Sequence, residues 1–345
     1  PDFLADLKEQ GLVIKASEGR LRINGERAVI ESHEAELKKR KSEILAHLEG
    51  ATPSISLNKN RPASPPPSFS QQRLLFLQHM QPESWAYNIP FALKIEGQLD
   101  LVVLKQSLEH LVQRHEVFRT RFLSENGKMS LEVVPEALLE LEIAPDEIDE
   151  DELSARARHH ATRPFDLTQP PLLRVAVERL SSTRHVILFN IHHLIADAWS
   201  LDILLREFSL SYRSFLLGNP PELPALSIQY ADYALWQRKW LSGPVLDRQL
   251  DYWKEQLGGE RPSIDLPTDF PRPRLQTFEG DVVHFSIPAS TTSDLRTLSQ
   301  NHSASLFMTL LAAFNLLLRR YSGQNEFLVG SPIANRHHAE VEGLI

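Results

Sequence analysis

The sequence predicts an α/β (α+β) protein made of a small N-terminal unit and a larger, two-lobed body. Three observations carry this. The solid apolar run Val186-Ile187-Leu188-Phe189 has the pattern of a strand buried on both faces, and residues 201–217 beyond it have helical periodicity. A proline- and serine-rich tract at 51–67 divides the first fifty residues from the rest. A second set of strand and helix patterns, 281–330, follows a proline- and arginine-rich crossing at 257–276.

The 345 residues, 42% of them apolar, suffice for a sizeable core. A formal charge of −8 speaks against a nucleic-acid or anionic-membrane partner. With no cysteine, disulfides, thiolate metal sites and a cysteine nucleophile are excluded, and a cytoplasmic location is expected. The opening PDFLADLKEQG is acidic and amphipathic rather than secretory, and the most apolar window, 306–318, is too short for a membrane span. A start at Pro1 and an end at Gly343-Leu344-Ile345 are those expected of a fragment.

Residues 1–50 should form a helix with Phe3, Leu4 and Leu7 on one face, then strands at 12–16 and 20–24 turning through Glu18-Gly19. A charged helix over 32–48, capped by Ser32, completes the unit. Its basic run Lys38-Lys39-Arg40-Lys41 is either a solvated face or a dock for an acidic peptide. Residues 51–67 should act as a stiff spacer through Pro65-Pro66-Pro67, limiting collapse between the units.

A helix with Ser70 as N-cap is expected next, and then a helical face at Leu101, Leu104, Leu108 and Leu111. Arg114 and Arg119 suit a structural ion-pair network. The acidic run 146–152 and His159-His160 have the pattern of solvated surface. Strands at 173–180 and 185–192 should frame the sheet, and Tyr233 and Trp236 of the aromatic stripe in YADYALW should be core. The second lobe should hold strands at 281–287 and 327–330, a helix at 290–302 and a buried helix at 305–321.

Polar residues gather at the end of the central strand, in IHHLIADAWS at 191–200. The strand delivers His192, His193 and Asp197 to one strand-to-helix junction. Neighbouring strand residues point to opposite faces, so one histidine faces a cavity and the other is buried. The same alternation disfavours a shared metal ion. A hydrogen-bonded structural knot and an acid–base site remain open on these residues alone.

HHLIADAWS resembles the HHxxxDGxS signature of nonribosomal peptide synthetase condensation domains, which share the chloramphenicol acetyltransferase fold. SFSQQRLLFL at 68–77 is similar to that family's SxAQxRLWxL, with Ser70 for alanine and Leu75 for tryptophan. RHEVFRTRF at 114–122 resembles RHExLRTxF, YADYALW at 230–236 resembles YxDYAxW, and SPIANR at 331–336 resembles the segment before the fifth motif. The resemblance covers 68–345 and implies a domain in two lobes, 68–260 and 261–345. The second lobe would be truncated, the family's final strands lying beyond Ile345.

The resemblance implies amide formation between an acyl donor and an aminoacyl acceptor on two carrier proteins. Each substrate would ride a 4'-phosphopantetheine arm into a tunnel between the lobes, with no cofactor or metal bound by the domain itself. His193 would be catalytic, as base or positioning group. His192 would be its buried partner, Asp197 and Arg336 structural, and Ala198, Trp199 and Ser200 channel-lining. Ala198 replaces the usual glycine and would narrow that channel. Residues 1–50 resemble tubulysin-synthetase-type docking domains, which capture the C-terminal segment of an upstream synthetase subunit; Lys15, Arg20, Arg22, Lys38, Lys39 and Arg40 are the docking candidates. A subtype joining two L-configured partners fits YADYALW and DFPRPR. Epimerisation, a non-catalytic docking scaffold and a free CoA-dependent acyltransferase are the rivals, and cyclising relatives carry aspartate in place of the histidines.

Overall fold

The computed structural model describes residues 7, 11–17, 20–39, 54–58, 60–125, 127–260, 263–274, 277 and 280–345. Near the N-terminus, β1 (Val13–Ser17) and β2 (Arg20–Asn24) pair antiparallel and α1 (Arg27–Lys39) follows. Leu7, Leu12 and Leu37 bury beneath Ile14, Ile23 and Ile30. Gly25, at φ +157°, is required by a close approach: a Cβ there would stand 2.5 Å from the Leu12 side chain. The helix starts before the expected cap. Ser32 lies inside it and donates to the Val29 carbonyl at 2.9 Å, satisfying its hydroxyl locally rather than capping. The expected first helix (apart from Leu7), the Glu18-Gly19 turn and residues 40–48 fall outside the described residues.

The body is built on a four-stranded sheet in the order β3-β8-β7-β6: β3 (Asn88–Glu96), β8 (Arg184–His192), β7 (Leu173–Ser181) and β6 (Leu141–Glu147). The first three are mutually antiparallel, and β6 runs parallel to β7. Burial follows the two-residue period. Val175, Val177, Ile187, Phe189 and Ile191 enter the main core, while Ala176, Val186 and Leu188 enter a smaller core on the other face. The main core is closed by α2 (Phe69–Met80), α3 (Leu101–Arg114) and α5 (Ala198–Leu216). The smaller one lies under α4 (Glu150–Thr162).

Three elements are absent from the sequence pattern: β3, β6 and the hairpin of β4 (Thr120–Glu125) with β5 (Lys128–Val133). The acidic run contributes Asp146 and Glu147 to β6, whose side chains are exposed, so the strand forms despite its charge. Of the histidine pair on α4, His159 is exposed but His160 is buried, contrary to expectation, because it faces the sheet. The carbonyls at that helix end are satisfied from the sheet: Asn190 Nδ2 donates to His160 at 2.7 Å and Asn88 Nδ2 to Ala161 at 2.7 Å.

The N-cap of α2 is Ser68, not Ser70. Its hydroxyl accepts from the Gln71 N–H while Gln71 Oε1 accepts from the Ser68 N–H, a reciprocal box that places the helix start two residues earlier. The segment expected to space the two units instead lies fastened to the body. Ile55 is 4% exposed among Ile228, Val341 and Leu344. Asn58 N–H donates to Asp232 Oδ1, Arg61 forks onto Glu116, and the Pro65 carbonyl accepts from Leu131. The reason is chemical: the tract carries a branched apolar residue and an arginine that find buried partners, which proline content alone does not reveal.

Beyond α6 (Tyr230–Trp240) and α7 (Pro244–Leu257), α8 (Ala289–Asn301) and α9 (Leu306–Ser322) match the expected helices. Two expectations fail there. Residues 281–287 and 327–330 form no strand, since no segment among the described residues pairs with them. The helix α9 is not buried: Phe307, Met308, Leu316, Leu317 and Tyr321 are exposed. Among the described residues no single helix is long and apolar enough to cross a membrane, although α8 and α9 pass that test jointly across a 105° break.

Candidate active site

The site is assembled where β8 ends. The His192 N–H donates to the Leu172 carbonyl just before β7, and the His193 N–H to the Tyr87 carbonyl just before β3, so the strand is gripped from both sides at its last residues. The chain then turns, Ile195 N–H donating to the His192 carbonyl, and enters α5 through Asp197. Gln71 of α2 donates to the Leu194 carbonyl at 3.0 Å and braces this turn from outside the sheet.

The two histidines divide as strand alternation requires. His192 is 1% exposed, between the ring of Tyr87 and the edge-on ring of Phe165. Its Nδ1 accepts from the Leu194 N–H at 3.1 Å. Burial, with the neighbouring His193 adding to it, pushes the His192 pKa down to about 4. The ring is therefore neutral near pH 7, with its proton on Nε2. His193 has an exposed side chain.

Asp197 caps α5. Its Oδ1 accepts from the Ser200 N–H at 2.8 Å and the Ser200 hydroxyl at 2.6 Å, and Arg336 Nη2 reaches the same oxygen at 3.1 Å. Burial pushes this carboxyl up, but Ser200 and Arg336 together outweigh it and hold the pKa below the usual carboxylate value. Arg336 is itself anchored, Nη1 donating to the Val341 and Leu344 carbonyls at 2.7 and 2.6 Å. These two residues tie the start of α5 to the 336–345 turn.

The other channel-lining expectations separate. Ala198 is exposed, and Trp199 is 44% exposed with its indole N–H on the Glu342 carbonyl at 3.0 Å. Ser200 is 1% exposed, because closing the α5 cap turns its hydroxyl inward onto Asp197. A cavity of about 630 Å³ opens nearby between α2, β4 and residues 164–168. Phe165, the residue edge-on to His192, lines it, whereas His193 does not. Among the described residues no three His, Asp or Glu side chains converge as metal ligands.

The model of the condensation-domain family matches residues 64–345, most of the chain. The chain belongs to the condensation-domain family. A linear gramicidin synthase of Brevibacillus parabrevis is 45% identical over 303 residues, covering 86% of this chain and 6% of that protein. The chain therefore spans a small fraction of the curated relatives it matches. Among solved structures, the X-domain in complex with OxyB from teicoplanin biosynthesis is 26% identical, with a TM-score of 0.74 over 86% of this chain and 65% of that one. The EpoB NRPS cyclization-docking bidomain from Sorangium cellulosum is 22% identical and shares the fold, with a TM-score of 0.69 over 94% of this chain and 66% of that one.

Within this condensation domain, several residues serve the site that the sequence pattern did not single out. Gln71 holds the turn after the histidines. Asp232, 2% exposed inside YADYALW, accepts from the Asn58 and Gln229 N–H groups and stands 3.5 Å from Arg61. Phe165 is covered on its other face by Arg174, 4.0 Å above the ring. Arg114 and Arg119 are structural. The first pairs with Glu207 at 2.9 Å, and the second donates to the Val112 and Val134 carbonyls. Tyr233 and Trp236 pack partly buried beside Ile228.

Of the docking candidates, Lys15 and Arg22 are paired across the hairpin, Arg20 opens β2, and Lys38 and Lys39 end α1. Arg22 is exposed, and Arg40 lies outside the described residues.

Proposed function

We propose that this condensation domain joins an acyl group to an amine, each presented as a thioester on the 4'-phosphopantetheine arm of a carrier protein. The amine nitrogen attacks the thioester carbonyl, the C–N bond forms, and the C–S bond breaks to release the donor arm as a thiol. His193 would take the ammonium proton or hold the amine in line with the carbonyl. The observation that carries this reading is the division of the histidines: His193 is exposed at the end of a rigid buried strand, and His192 is buried and neutral behind it. Asp197 and Arg336 act in this reading as the brace between lobes, and Ala198 narrows the approach along which a glycine would leave more room.

Residues 1–50 are proposed to dock the C-terminal segment of an upstream synthetase subunit, with the exposed strand edge of the β1–β2 hairpin offering a place for strand addition. Two observations support this. The fold likeness to the cyclization-docking bidomain reaches 94% of this chain, and Val13 on β1 is 51% exposed. A cytoplasmic setting suits the absence of cysteine.

The test is reconstitution with two carrier proteins loaded with acyl and aminoacyl groups, the product followed by mass spectrometry. Amide formation that disappears in His193→Ala supports the reading. Product from free acyl-CoA without a carrier, or no product across varied donors and acceptors, overturns it, the second outcome leaving a docking scaffold as the account.

A further inference from the structure

The contacts of segment 54–67 lead to the His193 site in two steps. Ile55, 4% exposed, packs with Val341 and Leu344. The backbone carbonyls of those same two residues receive Arg336 Nη1, and Arg336 Nη2 lies on Asp197 Oδ1 and Ser200 Oγ. The indole of Trp199, in the motif itself, donates to the carbonyl of Glu342 within the same turn. Six residues along from Ile55, Arg61 bonds Glu116 through both terminal nitrogens and approaches Asp232, whose carboxylate also receives Asn58. Ile55 and Arg61 both precede residue 64, where the family match begins.

We propose that Ile55 and Arg61 are positioning residues for the His193 site: the 54–67 segment clasps the 336–345 turn and keeps Arg336 seated on Asp197. This rests on the reading that His193 works on a carrier-bound amine. Arg61 fixes the segment's path by its fork on Glu116 and its approach to Asp232. Ile55 presses the turn whose carbonyls orient the Arg336 guanidinium. Because the segment continues directly from the N-terminal unit, a pull on that unit would be felt at the Arg336–Asp197 brace.

The test uses the full chain with Ile55→Ser, Ile55→Val and Arg336→Ala, alone and combined. Ile55→Ser is expected to lower turnover about tenfold with KM for the loaded carriers unchanged. Ile55→Val, which keeps the branched side chain, should stay within about twofold of the parent. Added to Arg336→Ala, Ile55→Ser should lower turnover no further, since both act through one contact. Amide hydrogen exchange supplies a readout free of activity: Ile55→Ser should speed exchange in 336–345 and 194–200 while β7 and β8 keep their protection. Should Ile55→Ser fail to fold, Ile55→Ala takes its place in each arm.

Unchanged exchange in 336–345 overturns the clasp. Exchange that rises equally through β7 and β8 also overturns it, by showing a general loss of stability, as do additive effects of Ile55→Ser and Arg336→Ala. If loaded carriers give no amide even with the parent chain, the amide-forming reading fails, and the exchange arm alone supports or overturns the clasp.

Discussion

Arg336 Nη2 stands 3.1 Å from Asp197 Oδ1, an oxygen that already accepts from both the backbone N–H and the hydroxyl of Ser200. One carboxylate oxygen thus starts the helix after the histidines and ties down an arginine 139 residues further along the chain. Asp197→Ala removes both functions and should cost about 2 kcal/mol, one for the cap and one for a partly exposed ion pair. Asp197→Asn keeps a capping oxygen and should cost about half as much, about 1 kcal/mol. Urea unfolding of the two variants checks the order. Equal losses would mean that the capping oxygen contributes nothing once the charge is gone.

The buried His192 makes stability depend on pH. Its folded pKa, about 4, lies below its ordinary value of 6.5, so in that window the unfolded chain binds a proton that the folded chain refuses. Stability is fully present above about 6.5 and falls as pH drops towards 4, by up to about 3 kcal/mol from this group. His192→Asn, which keeps an acceptor for the Leu194 N–H but cannot titrate, should flatten the profile. A residual slope of the same sign is expected from His160, whose pKa burial also lowers. Denaturant midpoints measured between pH 4 and 7.5 test this.

Glu207 of α5 is 4% exposed and receives Arg114 at 2.9 Å and His115 at 2.8 Å from α3 and the residue after it. Replacing it leaves an arginine and a histidine facing a buried void. Glu207→Ala should destabilise the domain by about 3 kcal/mol, measured by thermal or urea unfolding. A loss below about 1 kcal/mol would mean that water or the Pro224 carbonyl, which Arg114 also meets, takes over the partnership.

His193→Ala should separate activity from stability. The side chain is exposed, so unfolding should shift by no more than about 0.5 kcal/mol. Amide formation should fall by about 10²- to 10⁴-fold, the range for loss of a proton-transfer or positioning group. A variant retaining most of its turnover would remove His193 from the mechanism.

The central strand and the helix after it are legible in the sequence because their signals are local: a continuous apolar run, an alternation and a 3.6-residue period. The Asp197–Arg336 contact is legible only through resemblance, since 139 residues separate the two and no periodicity links them. The inward turn of Ser200 onto Asp197 is not legible either, because a motif position reveals proximity to a site but not the direction of a side chain. The strands β3 and β6 escape notice for different reasons. Pro90 interrupts the β3 pattern yet is tolerated on an edge strand, and β6 is an edge carrying mostly exposed side chains. Ile55 and Arg61 sit in a tract whose composition suggests a spacer, and only their buried partners disclose otherwise. The strands expected at 281–287 and 327–330 show the converse, alternation without a neighbour among the described residues to complete the ladder.

The alternating burial along β8 has one more consequence. Phe189 and Ile191 belong to one core and Leu188 to the other, so the strand has a parity that both cores enforce. Inserting a single residue between Val186 and Ile191 would invert that parity, exchange the places of His192 and His193, and put the exposed ring where a neutral one is enclosed. An insertion at the 182–183 turn shifts no side chain across the sheet, because the chain has not yet entered the ladder. The difference between the two histidines is thus written into the sheet's count of residues. It is lost by an odd change of length on the strand and indifferent to one at the turn.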